Sequence, residues 1–117
     1  LHLRNLWHRD LKPSNIFFDA AGRPLVGDFG IVKVASDDPG FAATVITTPG
    51  TALGTPEYMA PEVIMGRGVD GRMDVYALGV IAYQWLTGRV PFEGTNPVAV
   101  LKRQLDYAPV PPTAVVR

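Results

Sequence analysis

Residues 73–86 constrain the fold most. Met73, Val75, Tyr76, Leu78, Val80, Ile81, Tyr83, Trp85 and Leu86 make the stretch apolar on nearly every face of a helix. A helix without a polar side belongs in the middle of a core, so the rest of the chain has to cover it. The run is too short, and too clearly broken by Gln84, to cross a bilayer. Asp74 places a charge at the start of this apolar helix and therefore needs hydrogen-bonding partners. Gly88 supplies the stop. Beyond it, Asn96-Pro97 reads as the N-cap and first turn of another helix, with Val98, Leu101 and Leu105 on one face.

The N-terminal half is built differently. Residues 1–6 look like the tail of a helix, and Pro13 forces the next stretch into a loop. Two short apolar runs, 16–18 and 24–26, flank the turn-forming Asp19-Ala20-Ala21-Gly22 and predict a small hairpin. Residues 31–34 are β-prone. Residues 35–57 carry many Thr, Gly, Pro and Asp without periodicity, as a long functional loop does. Pro61-Glu62 can open a short helix, and residues 109–112 read as an extended proline-rich tail. The predicted class is α+β, mainly helical with a small β-hairpin. With 47% hydrophobic residues the chain is globular rather than disordered. Lys plus Arg equals Asp plus Glu at 11 each, which gives no electrostatic reason to expect nucleic acid or an anionic membrane as partner. The absence of cysteine excludes disulfides and cysteine zinc sites.

Four short words occur in order: His8-Arg9-Asp10-Leu11-Lys12-Pro13-Ser14-Asn15, then Asp28-Phe29-Gly30, then Gly54-Thr55-Pro56-Glu57-Tyr58-Met59-Ala60-Pro61-Glu62, then Asp74-Val75-Tyr76-Ala77-Leu78-Gly79. Together they closely resemble the protein kinase superfamily, in its eukaryotic-type (Hanks-type) serine/threonine branch. The matching parts are the catalytic loop, the metal-binding triplet, the end of the activation segment and the central buried helix. Residues 86–97 resemble bacterial members in particular. The resemblance implies a partial kinase domain over 1–117, a piece of the C-terminal lobe. The N-terminal lobe and the last helices would be absent, and the missing N-lobe of the same chain would be a partner. Leu1, which is not an initiator Met, fits a cut through a longer protein.

Phosphoryl transfer asks a protein for positioning and charge neutralisation more than covalent help. By resemblance, Asp10 is the base beside the acceptor hydroxyl and Lys12 meets the charge on the transferred phosphoryl group. Asn15 and Asp28 hold Mg2+, with Mn2+ as a substitute, on ATP. His8 is structural and packs against the triplet formed with Phe29 and Gly30. Arg9 is placed to meet a phosphate on the activation loop. That loop offers Thr44, Thr47, Thr48 and Thr51, of which Thr47 and Thr48 are the candidate phosphorylation sites. Thr55 resembles the threonine that bridges Asp10 and Lys12, and with Lys12 it favours Ser/Thr over Tyr specificity. Glu62 resembles a glutamate paired with a later arginine. No partner is evident, so it must stay solvated. Asp74 resembles the aspartate that holds the catalytic loop through backbone amides.

The resemblance implies protein substrates and a cytoplasmic catalytic domain, membrane-anchored elsewhere in some relatives. The fragment alone is expected to be inactive. Two alternatives remain: a pseudokinase scaffold or interaction module, and a small metal- or nucleotide-binding module complete at 117 residues. The run Gly66-Arg67-Gly68-Val69-Asp70-Gly71 fits a dinucleotide-binding glycine pattern. It follows a helix-like turn where that fold needs a strand, which argues against the reading.

Overall fold

The computed structural model describes residues 7–27, 55–67 and 70–116. The helix tail predicted for 1–6, the β-prone run at 31–34 and most of the 35–57 loop lie outside them.

Pro13–Asn15 form one turn of 3-10 helix that feeds directly into β1 (Ile16–Phe18). β1 pairs antiparallel with β2 (Pro24–Val26), in the register Ile16↔Val26, Phe17↔Leu25 and Phe18↔Pro24. Asp19 closes the hairpin. Its Oδ1 accepts from the backbone N–H of Ala21 and Arg23, both at 2.9 Å. Those bonds, with the Arg23 guanidinium at 2.7 Å, hold its carboxyl below the usual range. Gly22 takes φ 76°, a turn conformation that glycine adopts without cost.

A second 3-10 turn, Pro56–Tyr58, precedes α1 (Pro61–Ile64). The backbone N–H of Gly66 then bonds back to Val63 O at 3.2 Å. The glycine pattern at 66–71 therefore leaves a helix and does not follow a strand, as the dinucleotide reading would need.

α2 (Arg72–Thr87) starts where Asp70 Oδ1 accepts from Arg72 N at 2.8 Å. It stops at Gly88, which has φ 78° and donates to Gln84 O at 2.8 Å. α3 (Pro97–Asp106) is capped by Asn96, whose Oδ1 accepts from Ala99 N at 2.9 Å. α4 (Pro112–Val115) begins inside the stretch expected to be extended, because a proline at the first helical position loses no hydrogen bond.

α2 packs on the Pro56–Tyr58 turn and on α4, while α3 packs on the same turn and on α1. The buried apolar side chains are Ala60, Ile64, Met73, Ala77, Val80, Ile81, Tyr83, Phe92 and Val100. Two expectations change. α2 is not covered all round: Val75, Leu78, Trp85 and Leu86 are exposed, on a stripe opposite the packed side. On α3 the packed residues are Val100 and Gln104, while Val98 and Leu105 face outward. The shared turn and α1 choose that face, and the residue pattern of α3 alone does not encode them. No helix among the described residues is long and apolar enough to cross a membrane.

Candidate active site

The loop at residues 8–15 is braced from both sides. His8 is 2% exposed. Its backbone N–H donates to Asp74 Oδ2 and that of Arg9 to Asp74 Oδ1, each at 2.9 Å. One carboxylate thus holds two consecutive amides, the role expected of Asp74, and satisfies its own charge at the buried start of α2. Holding these amides also places Arg9 at φ 68°, a left-handed conformation that costs a non-glycine residue roughly 1 kcal/mol.

The His8 ring links two strands of the site. Its Nδ1 accepts from Asp10 N at 3.2 Å, so its Nε2–H donates to Gly27 O at 2.8 Å. The triplet that His8 was expected to pack against lies outside the described residues. Gly27 N in turn donates to Asn15 O at 2.8 Å. A Cβ on Gly27 would lie 2.7 Å from the exposed Phe17 ring, so a side chain here would have to displace that ring.

Asp10 and Lys12 come together directly, with Lys12 Nζ 3.3 Å from Asp10 Oδ2. Thr55 forms no hydrogen bond to either of them. It sits in extended backbone as the residue before the Pro56–Tyr58 turn, and its carbonyl accepts from Tyr58 N at 3.0 Å. Asn15 is 4% exposed, and its Nδ2 donates to Asp10 O at 2.7 Å. Among the described residues no donor reaches Asn15 Oδ1. A hard amide oxygen held rigidly beside the Asp10–Lys12 pair suits a magnesium ion, which binds through few protein oxygens and keeps several waters. Its expected companion Asp28 lies outside the described residues, as do Phe29, Gly30, Thr47 and Thr48.

Among the described residues the Arg9 guanidinium makes no ion pair and lies 5.8 Å from the Trp7 ring centroid. Glu62 likewise forms no ion pair there. Together with burial, its charge pushes the Tyr76 phenol up to about 12.

Three further residues near the site, Glu57, Tyr58 and Gln104, have structural roles to which the sequence reading gave no part. Tyr58 Oη donates to Gln84 Oε1 at 2.6 Å. Gln104 joins Tyr76 to Pro56. Glu57 Oε2 is buried without a hydrogen-bond partner. Burial, and then the Glu57 charge, raise the Tyr58 phenol above its ordinary value. Gln84 and Gln104, polar residues inside helical runs, were a visible hint of such bonds.

This arrangement agrees with what the chain is similar to. The chain is 51% identical, over 97% of its length, to the serine/threonine-protein kinase Pkn1 of Myxococcus xanthus. It is 39% identical, again over 97%, to the serine/threonine-protein kinase PknB of Mycobacterium tuberculosis. It is 40% identical over 95% to the serine/threonine-protein kinase pkn2 of Myxococcus xanthus. It spans only 16%, 17% and 13% of those three proteins. The protein kinase domain family matches residues 1–111, and the chain belongs to that family.

Proposed function

We propose that this chain is the catalytic-loop portion of the C-terminal lobe of a bacterial serine/threonine protein kinase. The kinase would transfer the γ-phosphoryl group of ATP to protein Ser or Thr hydroxyls. The observation that carries the reading is the braced loop, with the Asp10 carboxylate 3.3 Å from Lys12 and Asn15 tied to the Asp10 backbone. The relatives, serine/threonine-protein kinases by name, support Ser/Thr as the acceptor class.

Each residue has a task in that reaction. Asp10 accepts the proton of the acceptor hydroxyl as the oxygen attacks. Lys12 offers a cation to the transferred group. Asn15, with Asp28, would hold magnesium, which when bound neutralises triphosphate charge. His8 and Asp74 keep the Asp10 backbone from moving, and orientation of this kind is a large part of phosphoryl-transfer catalysis. An N-terminal lobe supplied by the longer polypeptide would grip the rest of ATP, and the domain would work in the cytoplasm.

The test is transfer of labelled phosphate from ATP to a Ser/Thr peptide by the intact kinase. Asp10→Asn should lower kcat by about 10²- to 10⁴-fold, the usual share of a general base, with little change in the KM for ATP. The 117-residue chain alone should transfer nothing. Full activity of the Asp10→Asn enzyme would defeat the proposal.

A further inference from the structure

Arg9 has a fixed backbone and an uncommitted side chain. Asp74 Oδ1 holds its N–H at 2.9 Å and its φ is 68°, so the main chain cannot turn to serve the guanidinium. Arg9 is half-buried, and among the described residues its guanidinium makes no ion pair. It lies over the Trp7 ring, 5.8 Å from the centroid, within reach of a cation–π contact. Trp7 is half-buried as well.

A guanidinium on a ring uses its face. The five N–H donors along its edge stay available, in a fork that fits two oxygens of a phosphate group. A freely moving arginine carries about 2 kcal/mol of rotamer entropy, part of which it gives up when it grips an anion. Seating it on an indole does some of that ordering in advance. A kinase makes phosphate monoesters, and each carries roughly −1.5 to −2 charges, more than a carboxylate offers.

We propose that Trp7 is a positioning residue for Arg9. Its ring holds the guanidinium ready for a phosphate monoester on a Ser or Thr of the same kinase, and so strengthens the response of the active site to that phosphate. The route to the site is short. The Arg9 amide shares the Asp74 carboxylate with the His8 amide, and the next amide, that of Asp10, donates to the His8 ring. An anion held by Arg9 therefore acts on the residue beside the Asp10 base. Trp7 has no part in the transfer itself. The inference rests on the kinase reading, and the two fail in different places.

The experiment uses the intact kinase in two forms, phosphorylated by itself and stripped by a phosphatase, with phosphate content matched by mass spectrometry. The readout is the ratio of their kcat/KM values for a Ser/Thr peptide. In Trp7→Leu that ratio should fall about two- to fivefold, the equivalent of about 0.5–1 kcal/mol for a solvent-accessible cation–π pair. Trp7→Phe keeps an aromatic face and should lose less. In an Arg9→Gln background, Trp7→Leu should change the ratio no further. If Trp7→Leu does not fold, Trp7→Met fills the same space without a ring and should lower the ratio in the same way. Equal losses in both forms leave the ratio unaltered, which would make Trp7 purely structural and overturn the proposal. A wild-type kinase equally active in both forms would overturn it too. A wild-type kinase that transfers no phosphate in either form would instead sink the kinase reading on which the inference stands.

Discussion

The Asp74 carboxylate sits where several demands meet. It takes two backbone amides from residues 8 and 9, and it lies in the first turn of α2, where a negative charge is favoured by the helix dipole. Removing it leaves two amides unbonded around a buried histidine and takes away what balances Arg9 at positive φ. Hydrogen bonds to charged groups each contribute about 1.5–3 kcal/mol. Asp74→Ala should therefore lower the unfolding free energy of the kinase by about 2–4 kcal/mol in urea titrations, after allowance for relaxation of the loop. Asp74→Asn keeps one acceptor oxygen and should lose about half as much. An unchanged urea midpoint in Asp74→Ala would show that these bonds contribute nothing net. At this scale the sequence was legible wherever a role depended on close neighbours. His8, Asp10, Lys12 and Asn15 lie within eight residues, and their mutual contacts follow from a short loop. Gly27 was not legible, because its closeness to the Phe17 ring depends on how the hairpin folds back.

Among the elements, the hairpin, the Asn96 cap and the Gly88 stop could all be read in advance, since each is set by the backbone preferences of two to five adjacent residues. The packed face of α3 could not. Its apolar residues suggested Val98, Leu101 and Leu105. The partners it meets, the Pro56–Tyr58 turn and α1, draw in Val100 and the polar Gln104 instead. The entry to α3 is correspondingly tight. A Cβ on Gly94 would lie 2.9 Å from Val100 N and 3.0 Å from Ala99 Cβ, so it meets the first turn's backbone, which cannot swing aside as a side chain can. Gly94→Ala should cost about 1–3 kcal/mol in thermal or urea unfolding, as overpacking does. Asn96→Ala should cost about 1 kcal/mol by removing the cap. The order is the informative part, because a Gly94→Ala variant as stable as the wild type would mean that the helix entry can slide.

Taken as a whole, the molecule differs from its sequence reading in one respect that bears on its solution behaviour. The run at 73–86 promised a helix covered on every side, yet α2 is buried through Met73, Ala77, Val80, Ile81 and Tyr83 and open through Val75, Leu78, Trp85 and Leu86. Periodicity could not show this, because a helix apolar all round gives no sign of which side its own chain will cover. The open stripe continues onto the hairpin, where the Phe18 ring lies 6.4 Å from that of Trp85 and Phe17, Leu25 and Val26 are also exposed. Contiguous apolar surface of this kind drives association in water at roughly 25 cal/mol per Å² buried. The 117-residue chain on its own should therefore self-associate with rising concentration in sedimentation velocity runs. Trp85→Glu combined with Leu78→Glu should shift it toward monomer while leaving the far-UV circular dichroism unchanged, because both side chains point away from the packed face. A loss of helicity in the double variant would mean that the stripe is already buried by the chain itself. A wild-type chain that stays monomeric across the concentration range would point the same way.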